Sequence, residues 1–196
     1  MAGRRLRLAL LGVAAIAAAL VGLWQFILAP SFARTVQETL GRGDYRLAAT
    51  DGGAFTEARL RDGPSAVFFG FTHCPEICPT TLGDIATWSA DLGPEAARIR
   101  FWFVTVDPER DTVEMLRDYL SWNPNVTGAA GSPEEIAKAV AAFRVYARRI
   151  PLEDGDYTMD HSALVLLFDK SGRFQDVIMY QEDPASAEAK LRRLLP

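Results

Sequence analysis

Apolar and polar positions divide the chain into one long uncharged run followed by short periodic segments. The run, Leu8 to Ala29, contains no charge and only Gln25 as a strongly polar residue. At about 1.5 Å rise per residue, a helix over it crosses a hydrocarbon core of roughly 30 Å. Arg4, Arg5 and Arg7 precede it, which holds the N-terminus on the cytoplasmic side, and Trp24 suits an interfacial anchor near the far end. A cleaved signal peptide is the alternative. Its apolar core runs only about 7–15 residues, and Ser31-Phe32-Ala33 is a poor small-x-small cleavage site. Residues 1–30 therefore read as a membrane anchor, 31–43 as a linker, and 44–196 as one domain outside the cytoplasm.

Beyond the anchor, the pattern switches between periods of two and of three to four residues. Asp51-Gly52-Gly53 is a hairpin turn signal. Ala66 to Phe71 is a continuous apolar run, the mark of a strand buried on both faces. Leu82, Ile85, Trp88 and Leu92 repeat at helical spacing, and Ile99 to Val106 is a second buried strand. Asp111-Thr112-Val113-Glu114 resembles a capping box opening a helix, with Asp111 as the cap. Ser132-Pro133-Glu134-Glu135 opens another, burying Ile136, Val140, Phe143 and Ala147. Ala163–Asp169 and Phe174–Tyr180 form an antiparallel hairpin, and a last helix from Pro184 presents Ala187, Leu191 and Leu194. Two buried strands joined by a helix imply parallel pairing with a right-handed crossover. The fold class is thus α/β: a thioredoxin-like mixed sheet flanked by helices, with an N-terminal transmembrane helix.

Charge changes the picture in one respect. Arg4, Arg5, Arg7 and Arg34 are the only charges in the first 34 residues, so the other 17 Lys and Arg face 25 Asp and Glu, a net −8. Such a surface repels nucleic-acid phosphates, and no basic stripe offsets it. It suits a cationic protein or a metal cation.

The chain has two cysteines, Cys74 and Cys78, in a compartment where disulfides persist. A bridge between them closes a tiny loop and adds little stability, so they point to chemistry. Their loop, Phe71-Thr72-His73-Cys74-Pro75-Glu76-Ile77-Cys78-Pro79, leaves the carboxyl end of a buried strand and runs into a helix, where open α/β sheets place their sites. Pro79 disfavours a helical Cys78, so the helix is expected to start at Pro79 or just after, with Cys78 near a dipole that stabilises a thiolate. Three residues separate the cysteines and no histidine follows Cys78, which excludes haem attachment. Cys78-Pro79-Thr80 resembles a thiol-peroxidase motif, but Pro75 stands where that family has threonine.

The two histidines are His73 and His161. His161 lies just before a core strand, at the same pole of the sheet as the cysteine loop. Two thiolates and one imidazole suit a three-coordinate Cu(I) site. Zinc would need a fourth ligand, from Asp107 or water. His73 adjoins Cys74, but neighbours in an extended segment point apart, so it reads as loop structure or a transient copper ligand. Asp107 follows the neighbouring strand and either orients a ligand from behind or belongs to a helix-approach turn. Met159 is a soft atom beside His161, but a lone methionine is usually packing.

Three segments together resemble the Sco (SenC) family of copper chaperones: the one from Phe68 to Pro79, Val104-Thr105-Val106-Asp107-Pro108-Glu109-Arg110-Asp111-Thr112, and Tyr157-Thr158-Met159-Asp160-His161-Ser162. The resemblance runs from the anchor through the closing helix. It implies a copper ion, Cu(I) or Cu(II), on Cys74, Cys78 and His161. The implied function is delivery of copper to the CuA site of cytochrome c oxidase subunit II. Further partners are a second copper chaperone and a thiol reductant. Some members of the family instead reduce the cysteines of that subunit, using Cys74 and Cys78 in thiol–disulfide exchange. A redox or copper sensor is a third reading, without a signalling domain in the chain to serve it. No Ser- and Arg-rich presequence precedes the anchor, which favours the bacterial inner membrane and periplasm.

Overall fold

The computed structural model describes residues 2–153 and 155–195; the side chains of residues 2, 4–9 and 30–34, which include Arg4, Arg5, Arg7 and Ser31-Phe32-Ala33, lie outside what it describes. Contacts divide the chain into Met1–Glu38 and Thr39–Pro196.

The first unit is helical. Helix α1 (Ala2–Leu23) passes through a π-helical turn, Trp24–Leu28, into α2 (Ala29–Thr39). Leu10–Leu28 is apolar enough to cross a membrane and buries none of its side chains in protein. Helix therefore continues as far as Thr39 over much of the stretch in which the sequence suggested a linker. Leu40 is already buried, and Gly41, at φ +76, turns the chain where a side chain would strike Leu60.

The second unit is built on a seven-stranded sheet of order β2-β1-β5-β4-β3-β8-β9. Strands β1 (Leu47–Ala49) and β2 (Ala54–Phe55) form the expected hairpin across Gly52. The short α3 (Glu57–Leu60) leads to β3 (Ser65–Gly70), whose six residues are all buried. Helix α4 (Ile77–Leu92) and a 3-10 turn connect β3 to β4 (Arg100–Thr105), which pairs parallel with it. Helix α5 (Val113–Tyr119) leads to β5 (Val126–Ala130), parallel to β4, and α6 (Pro133–Phe143) follows, capped by Ser132 as expected. Strands β6 (Ala147–Pro151) and β7 (Tyr157–His161) make a separate two-stranded sheet. Then β8 (Leu164–Phe168) and β9 (Phe174–Met179) return antiparallel on the far side of β3, and α7 (Pro184–Leu194) buries Ala187, Leu191 and Leu194.

Several elements depart from the sequence reading. Strand β5 reads Val-Thr-Gly-Ala-Ala and lacks large apolar residues because α5 packs directly on it: a Cβ at Gly128 would lie 2.9 Å from Leu120 and 3.0 Å from Leu116. Helix α6 stops at Phe143, with Arg144 left-handed at φ 52, so Ala147 belongs to β6 and not to the helix. The cap of α5 is Thr112, which accepts from the Met115 N–H, and not Asp111. Helix α4 starts at Ile77, before Pro79. Proline is tolerated there because first-turn N–H groups have no intrahelical partner.

Candidate metal centre

Strand β3 ends at Gly70, and the chain turns through Phe71, Thr72 and His73 to Cys74, whose N–H donates to the Phe71 carbonyl. Pro75 and Glu76 fold Cys74 back over the start of α4, where the Cys78 N–H donates to the Cys74 sulfur at 3.3 Å. The unpaired N-terminal N–H groups of α4 thus serve Cys74, while Cys78 lies inside the first turn at 0% exposure. The expectation that the dipole favours the Cys78 thiolate is corrected accordingly. The hydrogen bond from the Cys78 thiol, reinforced by His161 against the opposing effect of burial, holds Cys74 down at about 4, while that same bond and burial push Cys78 up. The metal-free pair is a thiolate on Cys74 beside a thiol on Cys78. Gly70 makes room for it: a Cβ there would lie 2.7 Å from the Cys78 sulfur and 2.8 Å from the Phe103 ring.

His161 ends β7 and reaches the same sulfurs. Its Nε2 lies 3.5 Å from the Cys78 sulfur, and its Nδ1 lies 3.2 Å from the Ser162 carbonyl oxygen. A carbonyl only accepts, so Nδ1 is the donor in that contact, and Nε2 is the ring nitrogen that faces the sulfurs. Phe71 and Phe68 meet the imidazole edge-on, at 5.7 and 6.1 Å between centroids, and limit its rotation. The ligand atoms of Cys74, Cys78 and His161 all lie within 4.8 Å of one another. The donor set is soft and compact, which fits Cu(I). An open cleft of about 200 Å³ gives access, with Cys74, His161, Met159, Phe71 and Ile77 in its lining.

The other candidates fall around this group. His73 is exposed, and its Nδ1 lies 3.0 Å from the Thr72 hydroxyl; it is not among the clustered ligands. Asp107 is buried, and its carboxylate is taken up elsewhere: one oxygen accepts from the Tyr157 hydroxyl at 2.8 Å, the other from Arg110 Nε at 2.6 Å. Both oxygens are engaged there, and Asp107 is not among the clustered ligand atoms. It acts on the start of β7, and Arg110 adds a bond to the Tyr157 carbonyl at 2.9 Å and lies 3.7 Å over the Tyr157 ring. The fixed end of the histidine strand is therefore tied to the end of β4.

Asp111 is the functional residue that the sequence reading misassigned. Its carboxylate, 2% exposed, accepts from the Thr72 N–H at 3.1 Å, the Thr72 hydroxyl at 2.5 Å and the Thr105 hydroxyl at 2.6 Å. It ties the root of the cysteine loop to β4. A helix-cap pattern masked it, because Asp and Thr both cap helices and the two are adjacent here.

The sequence pattern of the SCO1/SenC family matches residues 33–196. Protein SCO2 homolog, mitochondrial, from Danio rerio is 34% identical over 187 residues, covering 89% of this chain and 67% of that protein. The protein of the same name from Homo sapiens is 38% identical over 144 residues, covering 71% of this chain and 54% of that protein. The chain thus spans about half to two-thirds of the length of these relatives. Among solved structures, Bradyrhizobium japonicum ScoI with copper bound is 42% identical with a TM-score of 0.73, covering 80% of this chain and 99% of that one. Yeast Sco1 with copper bound is 32% identical with a TM-score of 0.71, covering 79% and 87%.

Proposed function

The chain belongs to the SCO1/SenC family, and from that premise we propose that it is a copper metallochaperone holding copper on Cys74, Cys78 and His161. The observation that carries this reading is the convergence of two sulfurs and one imidazole nitrogen within 4.8 Å. Copper-bound relatives of the same fold support it. Copper is cargo here and moves by ligand exchange to the thiolates of an acceptor. The acceptor we assign is the CuA-bearing subunit II of cytochrome c oxidase, reached from the periplasmic face of the membrane in which Leu10–Leu28 is anchored. In loading, Cys74 offers a ready thiolate, while the Cys78 proton leaves as its sulfur binds the metal.

One observation also favours thiol–disulfide exchange. A depressed thiolate at the cleft backed by a buried thiol is the arrangement a dithiol reductant uses. Cys74 would attack a disulfide of the acceptor, and Cys78 would displace it, so two electrons pass and the Cys74–Cys78 disulfide forms. His161 separates the two readings, since exchange has no need of a third ligand.

The test uses the full chain in detergent, reduced, loaded with Cu(I) without oxygen and challenged with a competing chelator. Wild type is expected to keep about one copper per chain, and His161→Ala and Cys74→Ser to lose it. Retention by His161→Ala equal to wild type would move thiol exchange to the front.

A further inference from the structure

We propose that Met159 is an additional copper ligand of this site, a thioether that takes Cu(I) at the mouth of the cleft with Cys74 and His161 before the ion moves inward to Cys78. The proposal rests on the copper reading above and adds the order in which the ligands act.

The cleft is lined by Cys74, Met159 and His161 together, whereas Cys78 is absent from its lining and is fully buried behind them. An ion handed over from outside meets the first three donors before it can meet the fourth. Strand β7 places them so. Side chains alternate across a strand, and Met159 is two residues from His161, so thioether and imidazole leave the same face. The β6 ladder fixes this register, with His161 opposite Ala147 and Met159 opposite Arg149.

Met159 is half-buried and forms a wall shared with a second groove, lined by Val106, Ile136 and Val140. Packing of that wall asks only for apolar volume, which leucine supplies equally. What methionine adds is a flexible, soft sulfur that binds Cu(I) well and Cu(II) poorly.

The sequence of bonds balances without a redox step. Cu(I) arrives on the sulfur ligands of a donor. The bonds from copper to that donor break one by one as bonds to the Met159 sulfur, the Cys74 thiolate and the His161 nitrogen form. The Cys78 sulfur then loses its proton to solvent as it binds copper, and the Met159 sulfur departs. Copper stays in the +1 state throughout.

The test is carried out on the full chain in detergent micelles, with methionine labelled by 13C at the methyl group and Cu(I) added as its acetonitrile complex without oxygen. Cys78→Ser holds the complex at the first stage. In that protein the Met159 methyl resonance, assigned by its loss in Met159→Leu, is expected to shift on adding copper, while those of Met115 and Met179 stay fixed. Met159→Leu in the Cys78→Ser background is expected to weaken Cu(I) binding roughly tenfold, and Met179→Leu to leave it unchanged. With both cysteines present, Met159→Leu should slow copper uptake yet keep the final retention of wild type. A stationary Met159 resonance in a Cys78→Ser protein that binds Cu(I), or equal affinity after Met159→Leu, would reduce Met159 to packing and leave the three-ligand site standing. Failure of the wild-type chain to retain Cu(I) would overturn both.

Discussion

Cys74 and Cys78 are chemically the same residue, and their environments separate them. Cys74 accepts the first-turn N–H of α4 and the Cys78 thiol, and it lines the cleft at 9% exposure. Cys78 gives its thiol proton to the bond with Cys74 and is fully buried, and both effects push its pKa up. The thiolate is the reactive form. Alkylation of Cys74 by iodoacetamide should therefore change little between pH 8 and 6, where an ordinary thiol slows by about 100-fold. Peptide mass mapping should find Cys78 unmodified over the same range. Copper retention should run the other way. Because loading displaces the Cys78 proton, affinity falls by about tenfold for each unit the pH is lowered. A chelator competition repeated at pH 6 and 7 measures that slope. An alkylation rate at Cys74 that tracks pH like a free thiol would remove the assigned asymmetry.

Strand β7 carries His161 but lies outside the main sheet, in a two-stranded sheet with β6. At its end nearest the metal centre it is held by the Ser162 N–H to the Tyr146 carbonyl, and at its start by Tyr157, Arg110 and Asp107. Arg149 adds a second guanidinium 3.6 Å over the Tyr157 ring. Loosening that start should free the imidazole while leaving the cysteine loop, tied through Asp111, in place. Tyr157→Phe removes one hydrogen bond, worth about 1 kcal/mol. Its expected signature is faster copper release with unchanged Cys74 alkylation in the metal-free protein. Arg110→Met should release copper faster still and also lower the melting temperature, since it leaves the buried Asp107 carboxylate without its cation. Equal effects of Tyr157→Phe on copper release and on cysteine reactivity would point to general destabilisation.

At the scale of the molecule, the chain joins an apolar helix to a globular unit that carries the Cys74–Cys78–His161 cluster. The full chain should fractionate with membranes and resist extraction by alkaline carbonate, as an inserted helix does and a peripheral domain does not. Copper that binds only the folded state should stabilise the globular unit by mass action, by about 2.7 kcal/mol when free copper is 100-fold above the dissociation constant. A rise in melting temperature on Cu(I) loading, absent in Cys74→Ser, measures this. An unchanged wild-type melting temperature under saturating Cu(I) would contradict a folded-state site.

Residues 66–71 and 99–106 announced the central strands because a strand covered on both faces must be apolar throughout, and burial bears this out in β3 and β4. The apolar run of the first helix was legible for the same reason, since hydrocarbon tolerates few charges. The meeting of Cys74, Cys78 and His161 was legible as residue types in a specific setting: two cysteines in a loop at a strand end, and a histidine before the next core strand. Strands β5, β6 and β7 were not legible. Gly128 and the alanines of β5 match the shape of α5, while β6 and β7 bury little and show only a weak period. Asp111 was misread because hydrogen bonds across 39 residues, from Asp111 to Thr72, leave no trace in local pattern. The assignment of thiolate to Cys74 and thiol to Cys78 also came only with the tertiary structure. It depends on which sulfur the helix start faces and which the core encloses, and both are set by packing between segments distant along the chain.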